Sequence, residues 1–555
     1  MITVAASPEP STRSESVPTT SSGLLEDIWG EIAVQLSASD ALSLSQTCTE
    51  LYSFLSRWDL WARILRAVCR RHGVFLPTYP ASKSEITVDQ LVRAALRPER
   101  WHRLVRKRAA PFAPWDDYSS MRRNFDDHPA ITPTFEGAFS HMSHCWLHLI
   151  PGGRFLVLID LPTITGIIDV DEAETTTAIL SIRDLGVPGS TEHRAPSIVA
   201  SQPFDIACTL IPIAQSSQSA VGIVSGSLFR VVMVHPLTAQ SHANSPNLSH
   251  WRVIAFDVEF SANGGNSPSL KRHRSSVTID TVRGNARVVN ICLQGNLVLL
   301  RFSGLVVVWD PDMMKYISLK AHDWNARRYL SVGCVSMLTS HHLVSIGVET
   351  LGVWDISSLC WIDGGLVAHI DEASTQAVPP DMVISGPWKL NRKALNRIEF
   401  SQVPCPVDSD NRVYFDAHYK QGGDGIIARY QLDVAPLAPG SLIGLPIAEP
   451  EARLSLTLVS ATRFPTSKFS TNVELAHGRL CHVRKHEVGG QRAYAYVPSS
   501  IPSPPLTALG KLVEETALTT YVCLGTRAPQ AFCALSGRMI CKTLGEDVKV
   551  VEYLS

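Results

Sequence analysis

The pentapeptide Val306-Val307-Val308-Trp309-Asp310 returns 45 positions later as Leu351-Gly352-Val353-Trp354-Asp355. A run of β-branched and aromatic residues this short, closed by an acid, suits a strand buried on both faces better than a helix. Looser copies are Ile182-Arg183-Asp184-Leu185, Ile254-Ala255-Phe256-Asp257-Val258, Ile427-Ala428-Arg429-Tyr430 and the terminal run 549–554. From about residue 130 onward the chain keeps this texture of short apolar runs broken by Gly, Pro, Asn and Asp, as in an all-β array. The closing aspartate suits a following turn, because its carboxylate can accept from backbone amides two or three residues on. The most apolar stretch, 288–310, is interrupted by Asn290, Gln294, Asn296 and Arg301 and by two glycines. It therefore reads as successive strands rather than a membrane span, which needs about 20 predominantly apolar residues.

A 45-residue spacing falls within the ~40–45-residue period of WD-type propeller blades. Candidate units centre on residues 146–185, 204–258, 287–310, 330–370, 397–434, 453–497 and 518–554. That is about 59 residues per unit, longer than the usual period, and polar insertions such as 241–250, 261–276 and 499–511 supply the surplus. A six-bladed ring or a pair of β-sandwiches competes with this reading.

The chain before the array is different. Residues 1–22 are rich in Ser, Thr and Pro with no apolar core of a signal peptide, which predicts a disordered leader. Leu24, Ile28, Ile32 and Leu36 then recur every four positions, with Leu25 and Trp29 beside them. This is one face of an amphipathic helix, with Glu26 and Asp27 expected in its first turn. Ser39 is a candidate N-cap for a second helix carrying Leu42 and Leu44, and Thr47 with Glu50 has capping-box spacing for a third. Trp58, Trp61, Ile64, Leu65 and Val68 mark a further helix that Gly73 ends. Helices this short are marginal alone and must pack on one another or on a partner.

Residues 24–61 resemble an F-box. Leu24, Asp27, Ile28, Ile32, Leu36, Asp40, Leu42, Leu44, Cys48, Leu51, Tyr52 and Trp61 stand in register with its pattern, and Leu25 stands where the family has proline. The segments 148–157, 180–186 and 534–554 further resemble fungal F-box proteins with a degenerate WD-type C-terminal domain. The resemblance implies that Leu24, Leu25, Ile28, Ile32, Leu36 and Leu42 bind a Skp-family adaptor and, through it, a cullin. It implies a substrate-recognition subunit of an SCF-type ubiquitin ligase that holds a client protein on the β domain. A WD-type scaffold without a ligase role is the alternative, and a propeller enzyme is a third class.

Residues 86–110 form another helical pattern, which Pro98 should interrupt, followed by Arg100, Arg103, Arg106, Lys107 and Arg108. A nuclear-import or nucleic-acid patch competes here with a solvated helix face. The formal net charge of -1 over 555 residues argues against nucleic acid or an anionic membrane as partner. Twelve cysteines are scattered without a C-x-x-C, which fits free thiols in a reducing compartment, cytoplasmic or nuclear. His141, His144, Cys145 and His148 cluster, but their spacing matches no common zinc motif and they enter a strand. QGGDGI (421–426) reads as a hairpin turn rather than a phosphate cradle. No nucleophile elbow, zincin, P-loop or dinucleotide motif occurs. The expectation is a non-enzymatic α+β multidomain protein without metal or cofactor: leader 1–22, three-helix F-box-like module 23–70, helical linker 71–130, and an all-β propeller of about seven blades over 131–555.

Overall fold

The computed structural model describes residues 21–108, 110–111, 134–140, 144–161, 175–190, 195–207, 218–237, 248–261, 268–282, 288–302, 304–320, 335–346, 350–372, 375, 377–385, 399–403, 412–421, 424–434, 454–465, 473–477, 482–486, 492–496, 499–500, 520–523, 529–533, 535–542 and 547–554. Within these residues an N-terminal group of helices is followed almost entirely by β-sheet.

The helices are α1 (Ser21–Gln35), α2 (Ala38–Ser45), α3 (Thr49–Leu55), α4 (Trp58–His72) and α5 (Val88–Arg108). Local chemistry corrects three expectations. α1 starts at Ser21, so Glu26 and Asp27 lie beyond its first turn. α2 is capped by Ser37, whose hydroxyl accepts from the Asp40 amide, and Ser39 is inside the helix. α3 starts at Thr49 after Cys48, and the Thr47 hydroxyl donates backward to the Leu44 carbonyl instead of opening a capping box. The capping box lies elsewhere: Thr87 and Gln90 bond each other's backbone amides at the start of α5. Pro98 sits inside α5 without ending it. Gly73 adopts a left-handed φ of 63° and closes α4.

Seven sheets occur among the described residues. We number them I–VII in chain order. Sheet I runs His144–Leu149, Phe155–Leu161, Thr175–Asp184, Ser197–Ala207, each strand antiparallel to the next. The same four-strand meander recurs over 218–282 (II), 288–320 (III), 335–385 (IV), 399–465 (V) and 473–523 (VI). Sheet VII is made differently. Pro529–Cys533, Arg538–Lys542 and Asp547–Glu552 receive their fourth strand from Phe135–Ser140, more than 400 positions away. The units drawn from the sequence are therefore displaced in places: 197–207 belongs to sheet I, 454–465 to sheet V and 520–523 to sheet VI.

First strands of consecutive sheets pack side by side: 144–149 on 218–223, that on 288–294, that on 335–338, and that on 399–403; likewise 473–477 on 529–533 and 529–533 on 144–149. Alternation along central strands feeds two cores at once. Val231 and Met233 join a core with Val157 and Ile159 of sheet I, whereas Val232 and Val234 join one with Val298 and Val307 of sheet III. Val306 and Val308 turn to Leu343 and Trp354 of sheet IV. Side chains alternate faces along a strand, so a sheet covered on both sides needs an unbroken apolar run. That is the physical origin of LVVVWD. Where the two Trp-Asp pairs close their strands, Asp310 accepts from the amides of Asp312 and Met313, and Asp355 accepts from that of Ser357. QGGDGI joins Arg412–Gln421 to Asp424–Val434, with Gln421 opposite Asp424; residues 422–423 lie outside the described residues.

The helices are anchored in the β region. Phe75 is fully buried against Phe155, Phe229 and Phe260. Trp101 of α5 stacks near Phe532 and Tyr553. Buried Arg97 donates to the Ser536 carbonyl at 3.0 Å and to the Leu554 carbonyl at 2.6 Å.

Candidate functional site

The helical layer has a buried and an unpartnered side. Ala33 is fully buried, and Gly30 lies against Arg63 of α4 and Phe54 of α3. Ion pairs Glu26–Arg57 and Glu31–Arg63 tie α1 to the start of α4 and its first turns. On the other side Ile28 is 50% exposed and Ile32 39%. Of the six residues expected to meet an adaptor, the structure brings Ile28 and Ile32 together one turn apart in solvent. Leu36 and Leu42 are half-buried against the helical core. Leu24 and Leu25 belong to α1, but their side chains lie outside the described residues. Tyr52, named in the same pattern, is exposed on α3.

Of the histidine cluster, His148 has a described side chain. His141 and the side chains of His144 and Cys145 lie outside the described residues. His148 Nε2 is 2.7 Å from Ser219 Oγ, across the contact of sheets I and II, and burial pushes its pKa down to about 4. A neutral imidazole bonded to a hydroxyl is a tie between strands.

What the sequence did not reveal is a set of buried ionic ties between neighbouring strands in four of the sheets. Arg154 grips Asp184 through Nε and Nη2. Arg230 grips Asp257, its direct cross-strand neighbour in sheet II. Asp416 and Arg429 face each other in sheet V, both almost wholly buried, and Arg538 is bonded to Glu552 in sheet VII. Several also bridge sheets: Arg230 reaches Asp312 and the Asn296 carbonyl of sheet III, and Arg538 reaches the carbonyls of Gly153 and Gly186 of sheet I. The signal available in sequence was an Arg 13–30 positions from an acid on a neighbouring strand, which no local window isolates.

Asp257, His273 and Asp312 could together offer three metal ligands. The Arg230 guanidinium already lies between the two carboxylates, with Nη2 3.1 Å from each, and takes the place a cation would hold. Burial disfavours the Asp257 carboxylate, yet His273 and Arg230 outweigh it and leave its pKa lowered.

A cleft of about 400 Å³ lies where α4 meets sheets I and II, walled by Trp58, Cys69, Tyr79 and Phe260. Burial pushes the Cys69 thiol up to about 12 and raises the Tyr79 phenol. Neither ionises near neutrality, so neither is an activated nucleophile. Among the described residues no helix is long and apolar enough to cross a membrane.

No protein-family model matches the chain, and no curated protein matches it. Among solved structures it is similar to apo prolyl oligopeptidase B from Galerina marginata, with a TM-score of 0.26 and 8% identity over 76% of this chain and 50% of that one. The match thus spans about half the length of that protein. The AfRom2 CNH domain is similar at a TM-score of 0.18 and 10% identity, over 56% of this chain and 99% of that domain. Likenesses at these scores carry no argument about fold or function.

Proposed function

We propose that this protein is a client-recognition subunit of an F-box-type ubiquitin ligase, with α1 docking on a Skp-family adaptor that holds a cullin, and the β region holding a client protein. The observation that carries the reading is the pair Ile28 and Ile32, left in solvent on a helix whose opposite side, at Gly30 and Ala33, is buried. Apolar residues one helical turn apart with no internal partner are the anchors a helix offers to another protein. The seven sheets are read as blades of a propeller. Two features support this: the chain of contacts between first strands, and the pairing of Phe135–Ser140 into the last sheet. Such pairing of the two ends of an array leaves no open edge between first and last units. On that scaffold the connecting loops are the place for client contacts.

The test is co-purification of the full chain with a Skp-family adaptor. The double substitution Ile28→Asp and Ile32→Asp removes the docking side without entering the helical core. It should cost at least about 2 kcal/mol of binding, roughly thirtyfold, while thermal unfolding stays within about 1 kcal/mol of wild type. Retained adaptor binding by the double variant, or none by the wild type, removes the reading. In that case the protein is a scaffold whose helices serve the fold, a role that the burial of Phe75, Arg97 and Trp101 favours.

A further inference from the structure

A second surface lies on the outer margin of sheets II and III, far in sequence from α1. After its third strand, Thr350–Asp355, sheet IV does not proceed directly to its fourth. The chain leaves it, pairs Ile362–Asp363 with Lys315–Tyr316 of sheet III, and lays Val367–Asp371 parallel to Ser276–Asp280 of sheet II. It then returns to sheet IV at Met382–Ser385. This excursion makes a fifth strand at the end of sheet II, with no strand beyond it among the described residues.

The register fixes which backbone groups that strand presents. The Ser276 amide donates to the Leu366 carbonyl, and the Glu372 amide donates to the Asp280 carbonyl. Even-numbered residues therefore point their amides and carbonyls into sheet II. By the alternation of a parallel ladder, those of Val367, His369 and Asp371 point outward. The Asp371 carbonyl accepts from the Thr375 hydroxyl, and among the described residues Val367 and His369 remain as an open edge.

Beside this edge, where His369 reaches Asp280 with its Nε2 at 3.2 Å, several apolar side chains are exposed. Leu366 is 58% exposed and Val367 61%. Ile362 of the same excursion is exposed, as are Met313 and Met314 in the turn whose carbonyl accepts from the Gly364 amide. Outer strands in two neighbouring sheets are shorter or carry guarding residues. Sheet I ends on a strand with Pro203 and a register shift, and in sheet III the strand next to the two-residue outermost strand Ile362–Asp363 carries Lys315 and Lys320 at its two ends. The excursion strand has neither proline nor lysine.

We propose that the edge Val367–Asp371 is a docking site for an extended peptide segment of a partner protein, which adds a further strand to sheet II and rests apolar side chains on Leu366, Val367 and Met313. The occupant follows from the hydrogen bonds: a helix satisfies its own backbone groups and cannot meet the amides and carbonyls of Val367 and His369, whereas an extended strand can. This surface stands independently of adaptor binding by α1.

The test uses the full chain and a displayed library of random peptides of about twelve residues, long enough to span a five-residue edge. Selection is made on wild type with counter-selection on Val367→Lys, a guarding substitution at an exposed position. An enriched peptide is then synthesised with and without N-methyl groups on alternate backbone amides, and binding is read by fluorescence anisotropy. The expected result is saturable binding, weakened about tenfold or more by N-methylation, since one lost hydrogen bond of about 1.4 kcal/mol gives that factor. Val367→Lys should abolish it, with an unchanged melting temperature, and the α1 double variant should bind like wild type. Failure to enrich any peptide overturns the proposal. So does equal binding of the N-methylated form, which would leave only an apolar patch. Concentration-dependent dimerisation abolished by Val367→Lys would also overturn it, making a second copy of the chain the occupant.

Discussion

At the scale of single residues, buried charge governs stability. Asp416 and Arg429 are paired through two bonds of 2.8 Å in the interior of sheet V. Asp416→Ala leaves the guanidinium buried and uncompensated and should cost roughly 3–5 kcal/mol. The double variant Asp416→Leu with Arg429→Met should recover most of that loss in urea unfolding, since an apolar pair of similar volume removes both desolvation costs. Greater instability in the double variant would mean that the pair contributes attraction well beyond its desolvation. His235 sets a pH dependence. It is 2% exposed in sheet II, and burial lowers its pKa from 6.5 to about 4. The unfolded chain therefore binds the proton more readily than the folded one between these values. The stability this site contributes is complete above pH 6.5 and falls as pH drops toward 4, by at most about 3 kcal/mol. His235→Asn should make that part of a stability–pH curve shallower, with His148, lowered to about 4 in the same way, supplying the remainder; an unchanged curve would place the acid sensitivity elsewhere.

At the scale of elements, helix ends show what local sequence can and cannot say. Ser39 and Thr47 were candidate caps by type, yet it is the Ser37 hydroxyl that meets the α2 amide of Asp40. Ser37→Ala should cost about 1 kcal/mol and Ser39→Ala less than half of that, measurable as different shifts in thermal midpoint. Equal shifts would place both hydroxyls in the cap. Pro98 was expected to break α5, but the helix is held along its length by Arg97 and Trp101 against the β region. Tertiary contact thereby overrides a local cost of about 3 kcal/mol. The Trp-Asp repeats were the most legible elements, because a strand pressed between two cores must be apolar at every position and its closing acid must meet amides two and three residues on.

At the scale of the molecule, the pairing of Phe135–Ser140 with Asp547–Glu552 joins strands more than 400 positions apart. Ending the protein before Asp547 removes the centre of sheet VII, the Glu552 partner of Arg538 and the carbonyl partner of Arg97. Such a truncation should lose cooperative unfolding and near-ultraviolet circular dichroism; a truncated chain that keeps both would show that the last sheet is dispensable.

The amino-acid sequence by itself determined the order of textures: helices first, then short strands buried on both faces, with an apolar helix side at Ile28 and Ile32. These are local properties, set by side-chain periodicity and size. Only the tertiary structure decided which strands share a sheet, that Leu36 and Leu42 turn partly inward while Ile28 and Ile32 do not, that arginines and acids meet in the interior, and that Val367 and His369 stand at an edge of sheet II with no strand beyond it among the described residues. Each of these depends on partners tens to hundreds of positions apart, and pairing at that range is fixed by the packing of whole cores rather than by any short run of residues.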